Sequence, residues 1–210
     1  MRPVRRSMVW AALAVAAAAA GCAATVRETR HPGFAEQRFT LSRVAVAPFG
    51  VGTSAARDGV DGAQADLVAA RVAEALAQSG LAVTGPDDVR RALEGAGGEA
   101  AASPATAARI AHAGFGVDAV VVGTLTRWRD RSGQAAGTTE PASVSFAVTL
   151  VHAPSGTKLW TGVFDETQHA LTENVFNVGR YPGGGTRWLT AEEMTRWGAE
   201  SIARAMPRAQ

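Results

Sequence analysis

The sequence predicts a mixed α/β fold: one sheet of about five strands in the order β-α-β-α-α-β-β-β-α, with helices on both faces. Three observations predict it. Val44–Phe49 (VAVAPF) and the start of Asp118–Trp128 (DAVVVGTLTRW) are apolar on both sides, as strands covered by two helical layers are. Between them, apolar residues recur at helical spacing inside segments marked by capping residues. After them come runs joined by short polar turns, the pattern of hairpins. Strands joined through helices are parallel and those joined by hairpins antiparallel, so the sheet is mixed, with the first and third strands central.

The first strand, Val44–Phe49, is followed by a loop over Gly50–Val60. Asp61 then starts a helix, with Gln64 completing a capping box. Ala65, Val68, Val72 and Leu76 form its apolar stripe, and Ser79-Gly80 ends it. Leu81–Thr84 is a short second strand. Pro86–Leu93 is a helix opened by proline, and its acidic pair Asp87 and Asp88 suits the positive end of the helix dipole. Gly95–Ala102 is a flexible turn. Ser103-Pro104 caps a helix reaching about Ala113, closed by Gly114-Phe115-Gly116.

Asp118–Trp128 begins buried, with Val120–Val122 expected to be fully covered. Arg129–Glu140 is polar and reads as a hairpin loop. Ser143–His152 alternates, with Val144, Phe146, Val148 and Leu150 on one side and Ser143, Ser145 and Thr149 on the other, which places it near an edge. Pro154–Thr157 turns the chain into the last strand, Lys158–Thr167, with Trp160 and Phe164 on one side. Thr190 and Glu193 form a second capping box, with Leu189 and Met194 spaced as a hydrophobic staple. Met194, Trp197, Ile202 and Ala205 share the face of that final helix.

The amino end carries an address. Met1–Arg6 is basic, and Met8–Ala20 is an apolar run too short to span a hydrocarbon core of about 30 Å as a helix. It ends Ala19-Ala20-Gly21-Cys22, which resembles the lipobox of bacterial lipoproteins, with Ala19 where that motif usually has leucine. The resemblance implies cleavage between Gly21 and Cys22. It also implies a diacylglycerol on the Cys22 sulfur and a further acyl chain, such as palmitate, on the new amino terminus. Two or three chains hold a protein stably where one does not. Ala23, not an acidic residue, follows the cysteine, which under the same resemblance favours the outer membrane and a domain facing the periplasm. The other reading is an ordinary signal peptide with an accidental cysteine. Residues 23–42 mix charge with Pro32-Gly33 and show no period, so they read as a tether able to reach about 65 Å. The division is therefore a signal peptide at 1–21, a lipid-anchored tether at 22–42 and a domain at 43–206.

Composition narrows the function classes. The 210 residues are 47% hydrophobic and 19% charged, which supports a buried core. The formal net charge of +2 includes Arg2, Arg5 and Arg6, and becomes −1 once 1–21 is removed, so nucleic acid is not an expected partner. A single cysteine excludes an internal disulfide framework and a cysteine-based metal cluster.

Val44–Phe49, Gly116–Trp128 and Pro154–Thr167 together resemble a broad group of envelope lipoproteins. The group includes the amino-terminal domain of the TolB translocation protein, the penicillin-binding-protein activator lipoproteins and the curli secretion lipoprotein. The resemblance covers 43–206 and implies the α/β domain, a non-catalytic role and an envelope protein partner. It does not imply a pore: the only candidate insert, Arg129–Pro141, is short and polar where a membrane barrel needs long amphipathic hairpins. Its motifs are structural, so no partner contact transfers with it.

Catalytic motifs are absent from the sequence. There is no Gly-x-Ser-x-Gly elbow, no Walker loop and no His-Glu-x-x-His. Gly183–Gly185 lacks the lysine of a phosphate loop and reads as a chain reversal. His31 reads as solvated, His112 sits on a helix and His152 at a strand end. The one polar cluster, Asp165, Glu166, Gln168 and His169, lies at the end of the last strand. No catalytic residue, metal ligand or cofactor is therefore expected. Two classes remain: a binding or scaffold lipoprotein serving peptidoglycan synthesis, secretion or outer-membrane assembly, and a hydrolase or metal-binding enzyme around Asp165–His169. A final feature bears on the first. The connection Gln168–Trp188 is long and rich in apolar residues (Leu171, Val175, Phe176, Val178, Tyr181, Trp188). Either it covers the sheet edge, or Phe176, Tyr181 and Trp188 anchor a partner.

Overall fold

The structure is a computed structural model that describes residues 25–97, 103–169, 181–182 and 187–210. Its strands are β1 (Val26–Arg30), β2 (Arg43–Val46), β3 (Gly50–Val51), β4 (Ala82–Thr84), β5 (Ala119–Arg129), β6 (Ser132–Gln134), β7 (Gly137–Glu140), β8 (Ser143–His152) and β9 (Lys158–Thr167). Its helices are α1 (Pro32–Glu36), α2 (Thr53–Arg57), α3 (Gly62–Gln78), α4 (Pro86–Gly95), α5 (Pro104–Phe115) and α6 (Ala191–Ala205). Six strands lie in the order β1-β9-β8-β5-β2-β4, and β3 adds a further pairing to β5. β2 runs parallel to both β4 and β5, whereas β5, β8, β9 and β1 are successively antiparallel. The sheet is mixed, as the sequence predicts, and β2 and β5 are interior.

It holds more than about five strands, for reasons that concern particular segments. Val26–Arg30 falls in the expected tether, yet pairs along its whole length with β9, Val26 opposite Phe164 and Arg30 opposite Trp160. α1 follows, Phe34 and Phe39 meet edge to face at 5.6 Å, and Leu41 N–H donates to the Arg208 carbonyl at 2.7 Å. Residues 26–41 are thus packed onto the domain and are not a free linker. The sequence VRETR shows no alternation because only Val26 is buried, the other four residues lying along an open edge. The Gly50–Val60 loop likewise contains β3 and α2, each too short to leave a periodic signature. β6 and β7 form the expected hairpin as a separate two-stranded sheet.

The helices begin and end where the capping residues stand. Asp61 and Gln64 make both bonds of a capping box on α3, and Gly80 follows with φ +93°. The Ser103 hydroxyl accepts from Thr106 N–H at 3.2 Å at the start of α5. Thr190 and Glu193 cap α6 reciprocally, and Leu189 and Met194 are both fully buried.

Two cores flank the sheet. Under α3 and α6 lie Val44, Val46, Val121, Leu125, Phe146, Val148, Leu150, Trp160 and Phe164. Under α4 and α5 lies a smaller core of Ala45, Val89, Leu93, Ala108, Val120 and Val151. α6 approaches β9 closely because Gly198 offers no side chain: a Cβ there would stand 2.8 Å from the Phe164 ring. Arg71 ties α3 to α6 through Glu192 at 2.5 Å.

On their face α4 and α5 cover β4, β2, the first part of β5 and the last part of β8, where Val151 lies. This explains two departures. Ser143–His152 alternates not because it lies near an edge, for β8 is interior, but because the face carrying Ser143, Ser145, Ala147 and Thr149 lies beyond the reach of α5, which covers only Val151 there. Val120 and Val121 are fully buried, whereas Val122, expected to be so, is half-buried beside the uncovered area.

Candidate functional site

The uncovered part of the sheet is the candidate surface. Strand alternation sends every second residue of β5, β8, β9 and β1 onto it: Thr124, Ala147, Thr149, Thr161 and Val163 on the middle strands, and Arg27 and Thr29 on β1. The middle residues are half-buried or exposed and mostly hydroxyl-bearing. Their hydroxyls pair across strands, Thr149 with Thr161 at 2.9 Å, and His31 Nε2 meets Thr161 Oγ1 at 2.8 Å. His31 is therefore held at the surface's lower margin and is not freely solvated. Where the surface meets α4 and α5 there is a cavity of about 300 Å³ whose lining includes Leu93, Pro104, Val122, Thr149 and Lys158.

Its upper end is charged and ordered. Arg127 reaches across β8 to Asp165 at 2.6 Å and to the Ser143 hydroxyl at 2.6 Å, and Arg27 adds a second, longer pairing to Asp165 at 3.4 Å. The Thr126 hydroxyl donates to the Ser145 carbonyl at 3.0 Å. This constellation bears on the enzyme alternative at Asp165–His169. Asp165 is occupied by two guanidinium groups. Glu166, its neighbour in the strand, is buried on the opposite face, because adjacent strand residues point apart. His169 N–H donates to the Tyr181 hydroxyl at 3.3 Å. The carboxylates cannot converge on one ligand, and no group of three or more metal-ligating residues occurs among the described residues.

The remaining histidines are structural. His112 Nδ1 lies 2.9 Å from the Val117 carbonyl, and His152 Nδ1 lies 2.8 Å from the Ser155 hydroxyl. Burial, with a smaller contribution from the nearby His112, lowers the pKa of His152, and Asp118 opposes both.

Gly21, Cys22, Phe176 and Gly183–Gly185 lie outside the described residues. Tyr181 is 3% exposed, stacks edge to face on Trp197 at 5.5 Å and donates to the Thr167 carbonyl at 3.4 Å. It works as a core residue and offers nothing to a partner. Trp188 differs: it is half-buried, its N–H donates to the Ala135 carbonyl at 2.9 Å, and Arg131 bonds its carbonyl. The β9 edge is occupied by β1, and residues 170–180 and 183–186 of the 168–188 connection lie outside the described residues. The open sheet face was not singled out from sequence, although the hydroxyl alternation at Ser143, Ser145 and Thr149 signalled it.

Fold and surface together define a mixed α/β domain whose sheet is largely covered on one face and partly on the other. No protein-family model matches the chain, and no curated protein matches it. Solved structures similar to it include the PelC dodecamer from Paraburkholderia phytofirmans (15% identity, 88% of this chain and 97% of that one, TM-score 0.47). They also include lipoprotein GNA1162 from Neisseria meningitidis (22%, 66% and 89%, TM-score 0.45) and the LpoB C-terminal domain from Escherichia coli (14%, 61% and 84%, TM-score 0.43). These likenesses carry no argument about what the chain binds.

Proposed function

We propose that the chain is a non-catalytic lipoprotein of the bacterial envelope. It is anchored in the outer membrane through acyl chains on Cys22, and its periplasmic domain binds a protein of an envelope machine, whether for peptidoglycan synthesis, secretion or outer-membrane assembly. The observation that carries the reading is the sequence Ala19–Cys22: the chain's single thiol stands where a lipid would be added. The open sheet face supports a binding role. It is broad, carries Thr124, Thr149 and Thr161 and lacks a convergent titratable cluster among the described residues, which suits contact with a protein surface better than chemistry on a small substrate. Trp188 and Phe176 are the proposed aromatic contacts, as the sequence suggests.

The test has two arms. Cys22→Ala should yield an unacylated precursor that no longer fractionates with the mature protein; normal maturation would refute the anchor. Crosslinking in cells through a photoreactive residue at Thr149 should capture one envelope protein, and a bulky Thr149→Arg change should abolish the adduct. Loss of the adduct on replacing Asp165, Glu166 and His169, with Thr149→Arg harmless, would place the interface elsewhere.

A further inference from the structure

The stretch after Cys22 is too short to act as a tether once β1 is recognised. Only Ala23, Ala24 and Thr25 separate the cysteine from Val26, which is 5% exposed and fixed opposite Phe164. Four residue steps reach at most about 14 Å. Resting on the lipid anchor proposed above, we infer that the corner of the domain where β1 begins lies directly against the lipid surface, so that the domain is held in one orientation.

The corner is well defined. β1 is the edge strand, and its start lies at the level of Asp165 and Arg127, towards the carboxyl ends of β9 and β5. The diagonally opposite corner is β4, at the other edge and beside the amino end of β5. Five strand spacings and about seven residues of strand length put roughly 33 Å between Val26 and Ala82. With Val26 held within about 14 Å of the headgroups, the amino end of β4 at Ala82 faces away from the membrane.

The chemistry of the corner suits anionic headgroups. Arg27 and Arg204 flank the start of β1 with side chains 72% and 65% exposed. Their nearest carboxylates, on Asp165 and Glu200, stand at 3.4 and 3.8 Å, long contacts that leave both guanidinium groups able to reach a phosphate. On the side of Arg204, Thr25, Val26, Glu28 and Ser201 line with it an open cavity of about 240 Å³, whereas Arg27 stands on the other face of the sheet. Guanidinium groups held near an anionic surface are attracted to it.

The experiment uses the full lipidated chain in vesicles of phosphatidylethanolamine and phosphatidylglycerol carrying an acceptor dye at the lipid surface. An acylated Cys22 does not react with thiol probes, so Arg27→Cys and Ala82→Cys each take a single donor fluorophore. Energy transfer should be several-fold stronger from position 27 than from position 82. Ten glycine and serine residues inserted between Ala24 and Thr25 should abolish the difference. Replacing Arg204 with Glu in the Arg27→Cys protein should reduce transfer from position 27. Equal transfer from both positions in vesicle-bound protein overturns the orientation while leaving the anchor intact. Protein that stays off the vesicles, with an unacylated mass, overturns the anchor and the orientation with it.

Discussion

Asp118 and Arg43 hold each other twice. The Asp118 N–H donates to the Arg43 carbonyl at 2.9 Å, and the Asp118 carboxylate accepts from the Arg43 N–H at 2.7 Å and the Ser42 N–H at 2.8 Å. The pair sets the register of β2 against β5, the two interior strands that run parallel. Asp118→Ala should cost about 1–3 kcal/mol by leaving those two N–H groups without their acceptor. Asp118→Asn, which keeps an acceptor oxygen, should cost less. Chemical denaturation of the three proteins checks the order.

Gly198 permits the contact between α6 and β9. A methyl group there would press on the Phe164 ring, which is itself fully buried. Gly198→Ala should destabilise by about 1–3 kcal/mol despite the gain in helix propensity. Combining it with Phe164→Leu should recover part of the loss, which a double-mutant cycle measures.

Val121 and Val122 are neighbours with different environments. Val121→Asp places an unpaired charge in the larger core and should abolish cooperative unfolding. Val122→Asp faces the open side of the sheet and should leave a folded, weakened domain. Thermal melts separate the two outcomes.

Much of this division was legible in the sequence, and its exceptions have physical causes. The long or capped elements announced themselves because they bury periodic stripes, Val68 and Val72 on α3 or Phe146 and Val148 on β8. β1 was hidden because an edge strand exposed on both faces needs only one apolar residue, and its partner lies far along the chain. The candidate surface was half legible. The hydroxyls at Ser145 and Thr149 pointed outward, but whether a helix covers them depends on the lateral reach of α4 and α5, which no local pattern encodes.

Burial lowers the folded pKa of His152 below the ordinary 6.5. The unfolded chain then binds this proton more readily than the folded one. Stability is unaffected above that ordinary value and falls as the pH drops through it, levelling off below the folded pKa. The groups facing His152, His112 and Asp118, pull in opposite directions. Melting temperatures between about pH 7.5 and 5.5 should fall, and His152→Gln should shallow the slope.

Tyr181 and Trp188 should part company under mutation. Tyr181→Ser removes the ring packed on Trp197 and should cost a few kcal/mol. Trp188→Ala should leave the melting temperature nearly unchanged while weakening the crosslinked adduct. A strongly destabilised Trp188→Ala protein would make it a structural residue instead.

The pairing of β1 with β9 has a kinetic consequence. Glu28 accepts from the Trp160 indole at 3.1 Å across 132 residues of chain, and the Gln210 N–H donates to the Phe39 carbonyl at 3.0 Å. The first strand therefore has no partner until nearly the whole polypeptide has been made, and folding dominated by such sequence-distant contacts is slow. On the export and anchoring proposed above, Val26–Arg30 would leave a translocation channel well before its partner β9, so that modification at Cys22 would precede the docking of β1 that completes the sheet edge.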